Sequence, residues 1–165
     1  MNLSVISSIK GRDQLSITMV CLGNICRSPL AEAALRARAV QAGVAITIDS
    51  AGTGNWHVGR PPDPRAQAVA LAHGLDISAY RARQVKAQDF ASFGHIFALD
   101  QQNLKTLRAI APACHNAQVQ LLMDIVPGRK GMAVIDPYYG DEADFEQTWA
   151  DVDAAAQAIV QRYLR

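Results

Sequence analysis

Cys21 and Arg27 stand six residues apart in the stretch VCLGNICRSP, residues 20–29, and their types and spacing suit one kind of chemistry. Between them Gly23 and Asn24 admit unusual backbone angles, and after them Pro29 opens an alanine-rich helical pattern. A loop of this size, made by Leu22, Gly23, Asn24, Ile25, Cys26 and Ser28 with the two ends, turns backbone N–H groups inward as an anion nest. The positive end of the following helix adds to it. The ligand it suits is a phosphate or a similar oxyanion. Cys21 sits at the floor, where amides and a guanidinium favour a thiolate, the form in which cysteine is a nucleophile. Arg27 offers a planar fork that can hold two phosphoryl oxygens, which a lysine cannot do. Ser28 can donate a hydroxyl hydrogen bond to the Cys21 sulfur, and Asn24, tolerant of left-handed angles, can pin the loop through its amide.

Two further groups could complete such a site. Asp136, in DPYYG, is followed by a proline that stiffens the backbone and by Tyr138 and Tyr139, which could shield it from water. A carboxyl group there could serve as a general acid, although Asp-Pro is also a common turn dipeptide. Trp56 and His57 lie in a long loop, residues 50–64, with three glycines and three prolines. Loops this long tend to be functional, and an exposed indole makes a natural wall for an aromatic ligand.

The elements that must position these residues alternate. Short apolar runs at 17–20, 44–49, 95–99 and 119–123 read as strands. Helical spacing follows at 29–41, stopped by Gly43; at 64–73, capped by Asp63 and opened by Pro64; at 101–110 after Asp100; and from about 141 or 143 to the C-terminus. Strands alternating with helices imply a parallel sheet with right-handed crossovers, with ligands at the carboxyl ends of the strands. Cys21 directly follows the first strand, as that rule requires. Asp63 reads as a cap, His73 as a helix-end residue favourable to the dipole, Asp100 as a cap or an acid, and Cys114 as an ordinary thiol.

A length of 165 residues with 50% hydrophobic composition fits one domain with a substantial core. The net charge of +1 gives no case for nucleic acid or an anionic membrane as a bulk partner. No apolar run approaches the about 18 residues of a membrane span, and residues 1–15 lack the apolar stretch of a secretory signal. They read as an extension before a domain at 16–165. Three cysteines at spacings that suit neither zinc nor a disulfide framework fit a reducing, cytoplasmic compartment. No metal or cofactor is expected.

With CLGNICRSP, the stretch DSAGTGNWHVGRPPDPR at 49–65, LDQQN at 99–103 and DPYYG at 136–140, the chain resembles the low-molecular-weight protein tyrosine phosphatases. The resemblance implies a single α/β domain with a four-stranded parallel sheet of flavodoxin-like winding flanked by helices. It implies phosphotyrosine hydrolysis through a phosphocysteine on Cys21, with Arg27 binding the phosphoryl group and Asp136 as acid and then base. Trp56 and His57 on one side, and Tyr138 and Tyr139 on the other, would wall the cleft, with Ser50, His73 and Asp100 supporting it from behind. Members with this cysteine pair suggest that Cys26 traps oxidised Cys21 as a disulfide; a small packing residue is the other reading. The implied partner is a tyrosine-phosphorylated protein, a bacterial tyrosine kinase among them. Arsenate reduction would need more cysteines after the third strand than the solitary Cys114 supplies. An inactive binding module is opposed by the intact Cys21, Arg27 and Asp136. A phosphoarginine phosphatase is the serious alternative, since resembling members carry threonine where this chain has Ile25.

Overall fold

The computed structural model describes residues 14–163. Most of the expected extension 1–15 therefore lies outside the described residues, as does Leu164 of the expected closing helix. Leu15 already belongs to the domain: its carbonyl accepts the Thr47 N–H at 2.9 Å and its side chain packs on the core.

Four short strands, β1 (Ser16–Cys21), β2 (Thr47–Gly52), β3 (His95–Ala98) and β4 (Gln118–Leu121), form one parallel sheet in the order β2-β1-β3-β4. The helices are α1 (Arg27–Ala42), α2 (Pro64–Ala72), the single turn α3 (Asp89–Ser92), α4 (Gln101–Ile110) and α5 (Glu142–Tyr163), with a 3₁₀ turn at Leu122–Ile125. Alternation along β1 explains the layering. Ile17, Met19 and Cys21 enter one apolar cluster with Leu30, Leu35, Val69, Phe145 and Val152 of α1, α2 and α5. Val20 enters the other with Phe90, Ile96, Leu104 and Leu107 on the α3 and α4 side. The sheet is thus buried on both faces of a single α/β domain.

From β1 the chain steps one way to β2, then returns past β1 to β3 and β4. The reversal lies between β1 and β3, and in such sheets the crevice outside the carboxyl ends at that point is where ligands bind. Cys21 ends β1, and Asp100 follows β3.

Three elements move by two residues or more at one end or both. β2 runs from Thr47 to Gly52, not over 44–49: Ser50, Ala51 and Gly52 lack the bulky look of a strand, yet they pair with Met19, Val20 and Cys21. Gly52 has no room for a side chain, because a Cβ there would stand 2.7 Å from the Leu22 carbonyl oxygen. β4 ends at Leu121, where the chain turns into the 3₁₀ segment. α1 begins at Arg27, two residues before Pro29. Among the described residues no helix is long and apolar enough to cross a membrane.

Candidate active site

The loop from Cys21 to Arg27 closes under hydrogen bonds that converge on one sulfur. Asn24 takes the left-handed conformation (φ 56°), which brings its N–H to 3.3 Å from Cys21 Sγ. Ser28 Oγ lies 3.0 Å from the same sulfur. The Asn24 amide donates to Ser28 Oγ at 2.8 Å and to Ser50 Oγ at 3.0 Å, while its Oδ1 accepts the Arg83 N–H at 3.0 Å. Ser28 accepts from Asn24, and its own proton lies within reach of Cys21 Sγ at 3.0 Å and, more distantly, of the Ala51 carbonyl at 3.4 Å. Ser50 in turn donates to buried Glu32 at 2.8 Å. Burial pushes the Glu32 carboxyl above its ordinary range, against the pull of Ser50 and Arg36. No side chain caps α1, so its first N–H groups are left without a side-chain partner.

Arg27, its side chain only 4% exposed, is fixed from behind. Nη1 donates to Asp100 Oδ2 at 2.6 Å and to the Val134 carbonyl at 3.1 Å, and Nη2 lies 3.5 Å from Asp136 Oδ2. Burial works against the charged guanidinium, yet the Cys21 sulfur and Asp100 outweigh it and raise its pKa. Asp100 does both things its sequence allowed, since Oδ1 caps α4 through the Asn103 N–H at 2.7 Å while Oδ2 holds Arg27. Asp136 arrives from the far side. The Val134 N–H is tied to the Leu99 carbonyl at 2.8 Å, and Asp136 Oδ1 accepts the Tyr138 N–H at 3.1 Å. The expected shielding of Asp136 by the tyrosines is corrected: its side chain is 45% exposed and Tyr139 projects into solvent.

Cys21, Leu22, Gly23, Ile25, Cys26 and Arg27 floor a cleft of about 230 Å³ whose walls are Trp56, His57, Asp136, Tyr138 and Tyr139. Close approach to glycine seats one wall: a Cβ on Gly54 would meet the Trp56 indole at 1.9 Å, and one on Gly23 would meet His57 Cδ2 at 2.9 Å. Cys26 is buried below the loop, where burial first, then Asp63 and the Cys21 sulfur, push its thiol well above its ordinary pKa. Ser50 supports the loop through Asn24. His73 does not, and its expected place behind the loop is corrected. It ends α2 facing α5, with Nε2 3.1 Å from Glu146 Oε2 and its ring stacked on Trp149 at 4.8 Å. Cys114 is exposed and outside the cleft.

Sequence reading missed Glu32 and Arg83. Only Glu32 carried a local signal, four residues after Ser28 and so on the same helix face. Arg83 reaches Asn24 from a segment with no periodic pattern, and it is itself held by Asp49 at 3.0 Å and Asp89 at 3.0 Å.

A thiol under two donors, in a nest closed by a buried arginine and faced by a carboxylate, defines a cysteine-dependent enzyme of phosphoryl transfer. The chain belongs to the family described as low molecular weight phosphotyrosine protein phosphatase, whose model matches residues 16–164. It is 38% identical over 151 residues to the low molecular weight phosphotyrosine protein phosphatase of Sus scrofa, covering 89% of this chain and 94% of that protein. The solved structure of Primo-1 superposes with a TM-score of 0.87 at 37% identity, over 92% of this chain and 99% of Primo-1. That of DARP, a drosophila arginine phosphatase, does so at 0.85 and 31% identity, over 90% and 98%.

Proposed function

We propose that the protein hydrolyses phosphotyrosine in proteins through a phosphocysteine on Cys21. The Cys21 thiolate attacks phosphorus in line; the S–P bond forms as the P–O bond to the tyrosine ring breaks. Arg27 and the loop amides bear the charge of the equatorial oxygens, and Asp136 gives its proton to the departing phenolate. Water then attacks phosphorus, Asp136 takes its proton, and the S–P bond breaks to return thiolate and inorganic phosphate. Ser28, donating to the sulfur, stabilises it as nucleophile and as leaving group.

The observation that carries this reading is convergence: Cys21 and Arg27, at the two ends of one loop, and Asp136, from a loop far along the chain, line one cleft whose walls are largely aromatic. The aromatic lining supplied by Trp56, Tyr138 and Tyr139 suits a phosphate carried on a phenyl ring. The similarity to DARP makes phosphoarginine the second reading. Ile25 in the cleft favours the aromatic substrate, being apolar where the resembling arginine phosphatases have threonine. The implied partner is a tyrosine-phosphorylated protein, a bacterial tyrosine kinase among the candidates, in a reducing cytoplasm.

A panel of phosphotyrosine, phosphoserine and phosphoarginine peptides, run beside an arsenate reduction assay, tests the assignment. The highest kcat/KM should fall on phosphotyrosine; a preference for phosphoarginine, or thiol-dependent arsenate turnover, would overturn it.

A further inference from the structure

The phosphate loop and the loop carrying Asp136 come from opposite ends of the chain, yet a short strap at the start of α2 joins them. The Asp63 N–H donates to the Ile25 carbonyl at 2.8 Å, so the strap hangs on the phosphate loop itself. The Asp63 carboxylate accepts the Arg65 N–H at 2.8 Å and clasps the Arg65 guanidinium with both oxygens, Nε to Oδ1 at 3.0 Å and Nη2 to Oδ2 at 3.0 Å. From there Arg65 reaches across. Its guanidinium lies 4.7 Å from the centre of the buried Phe145 ring in α5 and 5.5 Å from that of Tyr138, and Nη1 is 3.5 Å from the Gly140 carbonyl. The N–H of that same Tyr138 is the one that Asp136 Oδ1 accepts.

An exposed ion pair two residues apart in sequence contributes little to stability by itself. Arg65, though 43% exposed, engages α2, α5 and the 136–140 loop together, and only a planar fork can meet a carboxylate along its edge while its faces lie over rings. Hydrogen bonds from Arg65, against partial burial, hold the Asp63 carboxyl below its usual range, so the clasp stays charged at neutral pH.

We infer that Arg65, held by Asp63, is a positioning residue that sets the 136–140 loop against the phosphate loop, so that Asp136 reaches the leaving oxygen. The inference rests on the reading of Asp136 as general acid. Arg65 does not touch the reacting atoms; it acts through Tyr138 and the backbone of the acid's loop.

The test is kcat/KM, which reports every step through departure of the phenol, for aryl phosphates graded from nitrophenol to tyrosine-like leaving groups. Arg65→Ala should lose roughly 10-fold to 100-fold with tyrosine-like groups, the scale of a misplaced catalytic group, and little with nitrophenol. Arg65→Lys, which keeps a charge over the rings but no fork, should recover part of the loss. Inhibition by inorganic phosphate should not change, since the nest is left intact. In an Asp136→Ala background, Arg65→Ala should add no further dependence on the leaving group. A loss equal across the series, no loss, or the same loss in the Asp136→Ala background would overturn the inference. Should the alanine variant fail to fold, Arg65→Lys decides alone: a leaving-group-dependent loss supports the strap, and a uniform or absent loss overturns it. If Asp136→Ala itself responds equally to all phenols, the general-acid reading fails and takes this inference with it. A leaving-group-dependent Asp136→Ala beside a leaving-group-blind Arg65→Ala overturns the strap alone.

Discussion

Asp136 and Cys26 have opposite surroundings, and each makes a separate prediction. Asp136 is half open to solvent, and its two oxygens are steered by the Tyr138 N–H and by Arg27. A proton delivered from there matters most when the departing phenolate is a strong base. Asp136→Ala should therefore slow tyrosine-like leaving groups by roughly 10² to 10⁴ and nitrophenol much less; a uniform loss in kcat/KM would remove it as the acid. Cys26 is buried, its thiol held protonated by burial, by Asp63 and by Cys21, whereas Cys21 has donors on its sulfur. Peroxide should oxidise Cys21 first, and the neighbouring thiol can then trap the sulfenic acid as a disulfide. The wild type should recover activity with a dithiol and be protected by phosphate, while Cys26→Ala should proceed to sulfinic or sulfonic Cys21. Equal rescue, with no disulfide between the two found by mass spectrometry, would leave Cys26 a packing residue.

The start of α1, the end of β2 and the loop after it act as one unit. Glu32, one turn into α1, orders Ser50 of β2, which orders Asn24 and so the phosphate loop. Its carboxyl is raised by burial, so its contribution to stability is present below the ordinary value of 4.5 and is lost as pH rises through the folded value. Glu32→Gln, whose amide oxygen can still accept from Ser50, should match the wild type in thermal midpoint near pH 4 and gain on it as pH rises to 7. A gain at pH 4 that disappears at pH 7 would reverse the sign and contradict the burial argument. In the following loop, the Trp56 indole occupies the space where a Gly54 side chain would begin. Gly54→Ala should push the indole off its seat and raise KM for aryl phosphates about twofold to tenfold, the worth of one aromatic contact. An unchanged KM together with unchanged tryptophan fluorescence would show that the wall does not depend on that glycine.

At the scale of the whole molecule, the class of fold was legible because apolar runs of strand length alternate with helical patterns, and the site was legible because its floor is one contiguous loop after a strand. Residues meeting across the sheet were not. Arg65 and Arg83 take their roles from partners far along the chain, at Tyr138, Gly140, Asn24 and Asp49. His73 ends α2 as its own surroundings in sequence suggested, but the place behind the phosphate loop that the resemblance implied is not where it lies, because α5 brings Glu146 and Trp149 to it. β2 was shifted because its last residues, Ser50, Ala51 and Gly52, do not look like a strand, and Gly52 is held to that size by the Leu22 carbonyl of the phosphate loop. The single turn α3 is too short to leave a period. The fold's main consequence is that the carboxyl ends of β1 and β3 bring Cys21, Arg27 and Asp136 to one point, and the central claim is that phosphorus becomes bonded to Cys21 there. The most direct measurement is acid quench of the enzyme during turnover of a phosphotyrosine peptide, followed by mass spectrometry of the fragment containing residues 20–29. A phosphoryl group on Cys21, present during turnover and lost when substrate is exhausted, is the predicted result; turnover with no phosphoryl group on Cys21, or with undiminished rate in Cys21→Ser, would contradict the account.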